Sequence, residues 1–317
     1  MTAPLLAVRA LHIAFGATEV VRGVDFTIAP GEAVGLVGES GSGKSMTALG
    51  VMRLLPRGAR ISGGEVFWRG QPLTGLPESA LRSMRGREIA MVFQDPLSAL
   101  NPAFTIGRQI VDVLRAHQPM GRAAADARAA ELLAAVGIAE PARRLAAYPH
   151  EFSGGMRQRV AIAIAIAGGP KLLIADEPTT ALDVTVQAQV VELLARLRRE
   201  LGLGLLFISH NLDLVAGMCD RIVVMYAGRV AEADTAEALF TAPRHPYTRQ
   251  LLRCIPRLDD APGLLPTIPG APPQAGRFPA GCAFAPRCDL AFEKCRAEMP
   301  PPAGTPPRQV ACWMAPP

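Results

Sequence analysis

The chain has 317 residues, half of them apolar, 5% aromatic and 19% charged, which excludes a disordered chain, a collagen and a small disulfide scaffold. Its 33 basic and 28 acidic residues give a net charge of +5, but they are interspersed, and basic runs stop at pairs such as Arg143-Arg144 and Arg198-Arg199. A solvated surface is expected, not a nucleic-acid-binding face. The first residues lack a charged segment followed by an apolar run, and the apolar stretch Val160–Ala167 falls far short of the ~20 residues of a spanning helix. The chain is expected to be cytosolic, reaching a membrane only through a partner. Ala33–Val37 reads as a buried strand, followed by a Gly-rich loop and a helix from about Lys44 that stops before Pro56. Residues 96–165, roughly, are Ala-rich and helical, an inserted helical subdomain. Gly168-Gly169-Pro170 closes its last helix, and Lys171–Ala175 reads as a second buried strand. Gln187–Leu201 sets Val190, Leu193, Leu194, Leu197 and Leu201 on one helical face and leads into a strand at Leu205–Ser209. Arg221–Met225 and Arg229–Val230 read as a hairpin around Ala227-Gly228. Short apolar strands alternating with helices over 1–240 mark an α/β core. From 241 to 317 the pattern breaks, because 17 of the 29 prolines lie there and interrupt any long helix.

Gly38-Glu39-Ser40-Gly41-Ser42-Gly43-Lys44-Ser45 fits G-x-x-x-x-G-K-[ST], with a buried strand before it and a helix after it. Such a loop curls so that successive backbone N–H groups point at phosphate oxygens, and the helix N-terminus adds partial positive charge. Lys44 is one of only three lysines, with Lys171 and Lys294, in a chain that uses arginine for its other basic positions. A retained lysine marks a place where a compact charge is needed, here at the β- and γ-phosphates, while the Ser45 hydroxyl ligates Mg²⁺. The stretch from Gly38 to Met46, including Ser40, Gly41, Ser42 and Gly43, is thus read as a nucleoside triphosphate site.

Leu172–Asp176 ends a strand in a carboxylate suited to Mg²⁺, usually through water, and Glu177 follows to orient or deprotonate an attacking water. His210 ends the next strand and is read as a γ-phosphate contact. Ser153-Gly154-Gly155 opens a long apolar helix, and a serine N-cap with two glycines makes a second anion site. An ordinary helix start accounts for that segment equally well on its own. Two separate phosphate cradles on one chain make sense if they face each other across a dimer.

Gly38–Ser45, Gln94, Ser153-Gly154-Gly155, Asp176-Glu177, Ala181-Leu182-Asp183 and His210, in this order, resemble the nucleotide-binding subunit of ABC transporters over about residues 5–240. The resemblance implies a P-loop ABC ATPase core of α/β class with an antiparallel β subdomain and the inserted helical subdomain, plus a Pro/Cys-rich C-terminal extension. It implies ATP and Mg²⁺ as ligands, with Phe15 stacking on adenine, Gln94 sensing Mg²⁺ and the membrane subunit, and Ser153 and Gly155 binding ATP held by the opposite protomer. Asp183 stands at the dimer interface. Two departures from the commonest pattern stand out: Phe152 and Met156 flank the signature where Leu and Gln are usual, and Phe15 stands for Tyr. Neither removes a group that touches phosphate.

Val92–Pro102, His150–Arg159 and His245-Pro246-Tyr247-Thr248 further resemble the oligopeptide/dipeptide (and nickel) importer ATPases. Such subunits sit on the cytoplasmic face of the inner membrane beneath two permease subunits. They pair with a second ATPase and are fed by an extracytoplasmic peptide-binding protein. The substrate itself is selected by those partners. A repair or translation ATPase fits poorly, since those usually carry a long coiled coil or tandem ATPase domains.

Four of the six cysteines fall in the tail, as Cys282-x5-Cys288-x6-Cys295-x16-Cys312. A reducing cytosol disfavours disulfides, while a Pro-rich segment with little core gains folding free energy from a metal staple. The spacing lacks C-x2-C, so the residues themselves leave zinc and iron–sulfur open. The resembling subfamily implies a 4Fe–4S cluster.

Overall fold

The computed structural model describes residues 3–180, 182–255, 266–304 and 308–315, the side chains of 97 and 98 excepted. Ala181, in the expected Ala181-Leu182-Asp183 motif, lies outside them. In chain order the strands are β1 (Leu6–Phe15), β2 (Thr18–Ile28), β3 (Ala33–Val37), β4 (Ala59–Trp68), β5 (Gln71–Pro72), β6 (Ile89–Val92), β7 (Leu172–Asp176), β8 (Gly204–Ser209), β9 (Arg221–Tyr226), β10 (Arg229–Thr235) and β11 (Gln309–Val310). The helices are α1 (Lys44–Met52), α2 (Glu78–Met84), α3 (Pro96–Ala99), α4 (Ile106–His117), α5 (Arg122–Ala135), α6 (Pro141–Arg144), α7 (Gly154–Ile166), α8 (Val184–Leu201), α9 (Leu212–Ala216), α10 (Ala236–Thr241), α11 (Pro246–Arg253) and α12 (Glu293–Ala297). None of them is long and apolar enough to cross a membrane.

Two compact units emerge, one of residues 1–29, 33–74 and 207–317, the other of 30–32 and 75–206. The first holds an antiparallel sheet in the order β2-β1-β4-β5. Leu11 and Ile13 of β1 pair with Val24 and Val21 of β2 on its inner face, and these four and Ile28 are fully buried. This unit also carries the strand order β11-β10-β9-β3, in which β3 runs parallel to β9 while β10 is antiparallel to both its neighbours. Every residue of β3 is buried, as its unbroken apolar run predicts. The β9–β10 hairpin turns on Ala227 and Gly228, both at positive φ (48° and 79°).

In the second unit β6 pairs parallel to β7, again with β7 wholly buried. The helices α3–α7 fill the Ala-rich span between these two strands. Ile106, Ile110, Val111 and Leu114 form the buried stripe of α4, and Ala125, Ala129, Leu132 and Leu133 that of α5.

Candidate active site

The loop between β3 and α1 owes its course to glycine. Gly38, Gly41 and Gly43 adopt φ of 147°, 79° and 100°, conformations that side chains rarely tolerate. A Cβ on Gly38 would lie 2.2 Å from the Met225 carbonyl oxygen, so β9 itself forbids a side chain there. The Gly228 N–H donates to the Ser42 carbonyl (3.0 Å), tying the loop to the β9–β10 turn. The Lys44 ammonium is buried and donates to the Gly38 and Glu39 carbonyls at 2.7 and 3.0 Å, drawing the loop around itself. Ser42 Oγ is buried without a hydrogen-bond partner. No side chain caps α1, and its first turn holds no acidic residue. A curled loop, a lysine at its centre and a helix start without side-chain capping form an anion cradle. Ser45 and Met46 continue into the first turn of α1, half-buried. Ser40 and Gly41 lie exposed at the loop's tip.

In the second unit Asp176 ends β7 and is buried, and Glu177 follows at φ 45°. A glutamate in the left-handed region costs about 1 kcal/mol, a kind of strain that gathers at functional sites. The Glu177 Oε2 accepts from Gln94 Nε2 (3.1 Å) and Thr180 Oγ1 (2.9 Å). Gln94 thus meets the very carboxylate that follows the β7 aspartate. The partner Thr180 escaped sequence reading, although a hydroxyl three residues after the glutamate is its visible signal.

Ser153 caps α7, its Oγ accepting from the Met156 N–H at 3.4 Å, and both Ser153 and Gly154 are exposed. A Cβ on Gly155 would come within 2.6 Å of Val186, so this glycine also serves close helix packing. Asp183 is exposed and caps α8 by accepting from the Val186 N–H (3.0 Å). In the first unit, His210 is exposed directly after β8, and Phe15, at the end of β1, is 38% exposed, leaving ring surface available for stacking.

With this geometry in view, the comparisons with known proteins are specific. A family model described as "ABC transporter" matches residues 21–180, and one described as "Oligopeptide/dipeptide transporter, C-terminal region" matches residues 231–295. The chain belongs to the ABC transporter family. A relative from Brucella abortus (strain 2308), provisionally named a peptide import ATP-binding protein, is 54% identical over 303 residues, covering 94% of this chain and 91% of the relative. A similarly named protein of Brucella melitensis biotype 1 is 50% identical over 314 residues, covering 94% and 93%. Among solved structures, the dimeric post-hydrolysis state of the ATP-binding cassette MJ0796 with ADP and Pi aligns with a TM-score of 0.65 at 27% identity, covering 73% of this chain and 98% of that one. The cbiO1 subunit of the Clostridium perfringens ABC transporter complex cbiONQ aligns at 0.66 and 26%, covering 76% and 92%. The fold is that of an ABC ATPase cassette.

In this ABC protein the tail packs against the phosphate-loop unit through contacts that no motif announces. Arg287 forks onto the Glu39 carboxylate, Nη1 to Oε2 at 2.6 Å and Nη2 to Oε1 at 2.9 Å. The Glu39 N–H donates to the Tyr247 hydroxyl at 2.9 Å. The four tail cysteines share one neighbourhood. The Cys282 N–H donates to the Cys295 carbonyl (2.8 Å). Burial first, then neighbouring thiols among the smaller causes, push the Cys282 and Cys288 thiols up; Cys282 senses Cys295 and Cys312, and Cys288 senses Cys282 and Cys312. Among the described residues, no three His, Cys, Asp or Glu side chains are gathered closely enough to ligate a metal.

Proposed function

We propose that this chain is the ATP-hydrolysing subunit of an importer that takes up di- or oligopeptides. The observation that carries the reading is the glycine-built cradle around Lys44, in a chain 54% identical to a relative whose name assigns it to peptide import. In this reading residues 1–240 form the nucleotide-binding domain, with the helical subdomain at about 96–165, and 241–317 form the extension. Lys44 and the loop N–H groups bind the β- and γ-phosphates, and Phe15 stacks on the adenine. Ser45, Asp176 and Gln94 would hold Mg²⁺, which supplies charge neutralisation on the phosphates. Glu177, already oriented by Gln94 and Thr180, takes the proton of the attacking water. His210 contacts the γ-phosphate. Ser153, Gly154 and Gly155 bind the nucleotide held by a second ATPase subunit, with Asp183 at that interface.

Hydrolysis then reopens the pair, and the Gln94 segment passes the motion to a permease. The subunit sits on the cytoplasmic face of the inner membrane, held by two permease subunits and supplied by an extracytoplasmic binding protein. Cys282, Cys288, Cys295 and Cys312 match a 4Fe–4S cluster in number and donor chemistry, and ligation by iron would draw them together; such a cluster would staple a Pro-rich segment. Iron and acid-labile sulfide in an anaerobically prepared sample test that assignment.

The central test is Glu177→Gln. It keeps the shape and the Gln94 and Thr180 partners but removes the base. ATP binding is expected to persist while turnover falls by at least ~10²-fold and a closed, ATP-loaded pair accumulates. Turnover near the wild-type rate would remove Glu177 from the mechanism.

A further inference from the structure

The phosphate loop carries a carboxylate where a polyanion is to bind. Glu39 follows Gly38 directly, and its side chain is one-quarter exposed. Lys44, nearby in the loop, donates to the Gly38 and Glu39 carbonyls; the cation on the Glu39 carboxylate comes from 248 residues away, in Arg287. That guanidinium is buried, and each of its nitrogens is used. Nε donates to the Pro269 carbonyl (2.8 Å), Nη2 to the Ile268 carbonyl (3.3 Å) and Nη1 to the Tyr226 hydroxyl (3.3 Å), beside the two bonds to Glu39. A planar fork held on every side is a fixed device, unlike a surface ion pair.

The second grip is Tyr247, which is fully buried. Its ring packs on Tyr226 (centroids 4.6 Å apart) and on Phe284 (5.3 Å), and its hydroxyl takes the Glu39 N–H. Phe284 and Arg287 lie on the short segment bounded by Cys282 and Cys288, while Tyr247 lies in the first turn of α11. Two separate segments of the extension therefore hold one residue of the phosphate loop, by its charge and by its backbone.

We infer that Arg287 and Tyr247 are positioning residues for nucleotide binding: the extension neutralises and orients Glu39, so that the loop accepts a triphosphate. The inference rests on the reading that this loop binds ATP. Without Arg287 the phosphate loop keeps the Glu39 charge without its guanidinium partner, and the repulsion of a bound polyanion grows with ligand charge. Loss of the Tyr247 hydroxyl frees the Glu39 N–H from its tie to the extension.

The test is nucleotide binding by the full chain, with a fluorescent ATP analogue and the matching ADP analogue, and a thermal melt of each variant. Arg287→Met is expected to weaken ATP binding about tenfold and ADP binding less, and adding Glu39→Gln is expected to restore most of the loss. In the assembled transporter, Arg287→Met is expected to raise KM for ATP with kcat unchanged. Equal ATP affinity for wild type and Arg287→Met overturns the inference, as does a loss that Glu39→Gln leaves unrepaired. Should Arg287→Met fail to fold, Arg287→Lys and Tyr247→Phe carry the test. Each keeps most of the packing, and each is expected to weaken ATP binding a few-fold. Unchanged affinity in both overturns the inference. A wild-type chain that binds neither nucleotide would instead remove the ATP reading itself.

Discussion

Gly38 and Gly41 stand in one loop, both at positive φ, yet they answer to different constraints. At Gly41 nothing lies within 4 Å of an added Cβ, so alanine there meets only backbone strain. At Gly38 the same atom would strike the Met225 carbonyl of β9 at 2.2 Å and the Ser42 hydroxyl at 2.9 Å. The nearer obstacle is strand backbone, which cannot swing aside. Gly41→Ala is expected to cost about 1 kcal/mol and to leave nucleotide binding measurable. Gly38→Ala is expected to cost at least ~2 kcal/mol more and to abolish binding, because loop or strand must move. Urea unfolding of the two variants side by side checks this; equal losses would show that the contact with β9 is soft. The motif announced that glycines belong here. It could not announce which one is pinned by a strand nearly 190 residues further on.

The same division between local and distant causes decides which elements were legible. The bounds of β3 were read from an unbroken apolar run, and the α/β alternation that frames the site followed from such runs. The helix α8 begins at Val184, three residues before the expected Gln187, because its apolar stripe starts late: Val184 is 82% exposed, and burial begins at Val190. The true start signal was Asp183, whose carboxylate takes the Val186 N–H. Strand β10 runs on to Thr235, well past the expected Val230. Its continuation holds Glu232 and Asp234, two carboxylates that are buried. Glu232 accepts the Arg244 and His245 N–H groups, and Asp234 pairs with Arg244 and Arg308. Partners that distant leave no periodicity. For α8 the expected outcome is specific. Asp183→Ala should cost about 1 kcal/mol of stability, while Asp183→Asn, which keeps an acceptor, should cost a few tenths. Thermal melts of both variants decide it, and equal losses would mean that the charge, not the cap, matters.

On the scale of the whole molecule, proline content makes residues 241–317 read as an appendage, yet the described part of this stretch belongs to the phosphate-loop unit. β11 adds an edge to β10, and the Tyr226–Tyr247–Phe284 cluster fills the space between strand and tail. At the edge of that cluster sits His245, buried as the N-cap of α11. Its Nδ1 accepts the Tyr247 N–H at 3.0 Å, and its ring also bonds the backbone at Ala311. Burial pushes this imidazole down from 6.5 to about 4. Between those values the unfolded chain binds a proton that the folded chain refuses, so stability rises with pH across this window. The contribution is complete above about pH 6.5 and gone below about pH 4, roughly 3 kcal/mol in all. Tyr247 sets the opposite limb. Burial pushes its hydroxyl up, so above about pH 10 the unfolded chain loses that proton first and stability falls as pH rises. His245→Asn retains an acceptor for the Tyr247 N–H but cannot titrate. In urea titrations from pH 4.5 to 7.5 the wild type is expected to lose stability steadily toward acid, and the variant to show a clearly shallower slope. A slope equal to that of the wild type would assign the acid limb to the carboxylates instead.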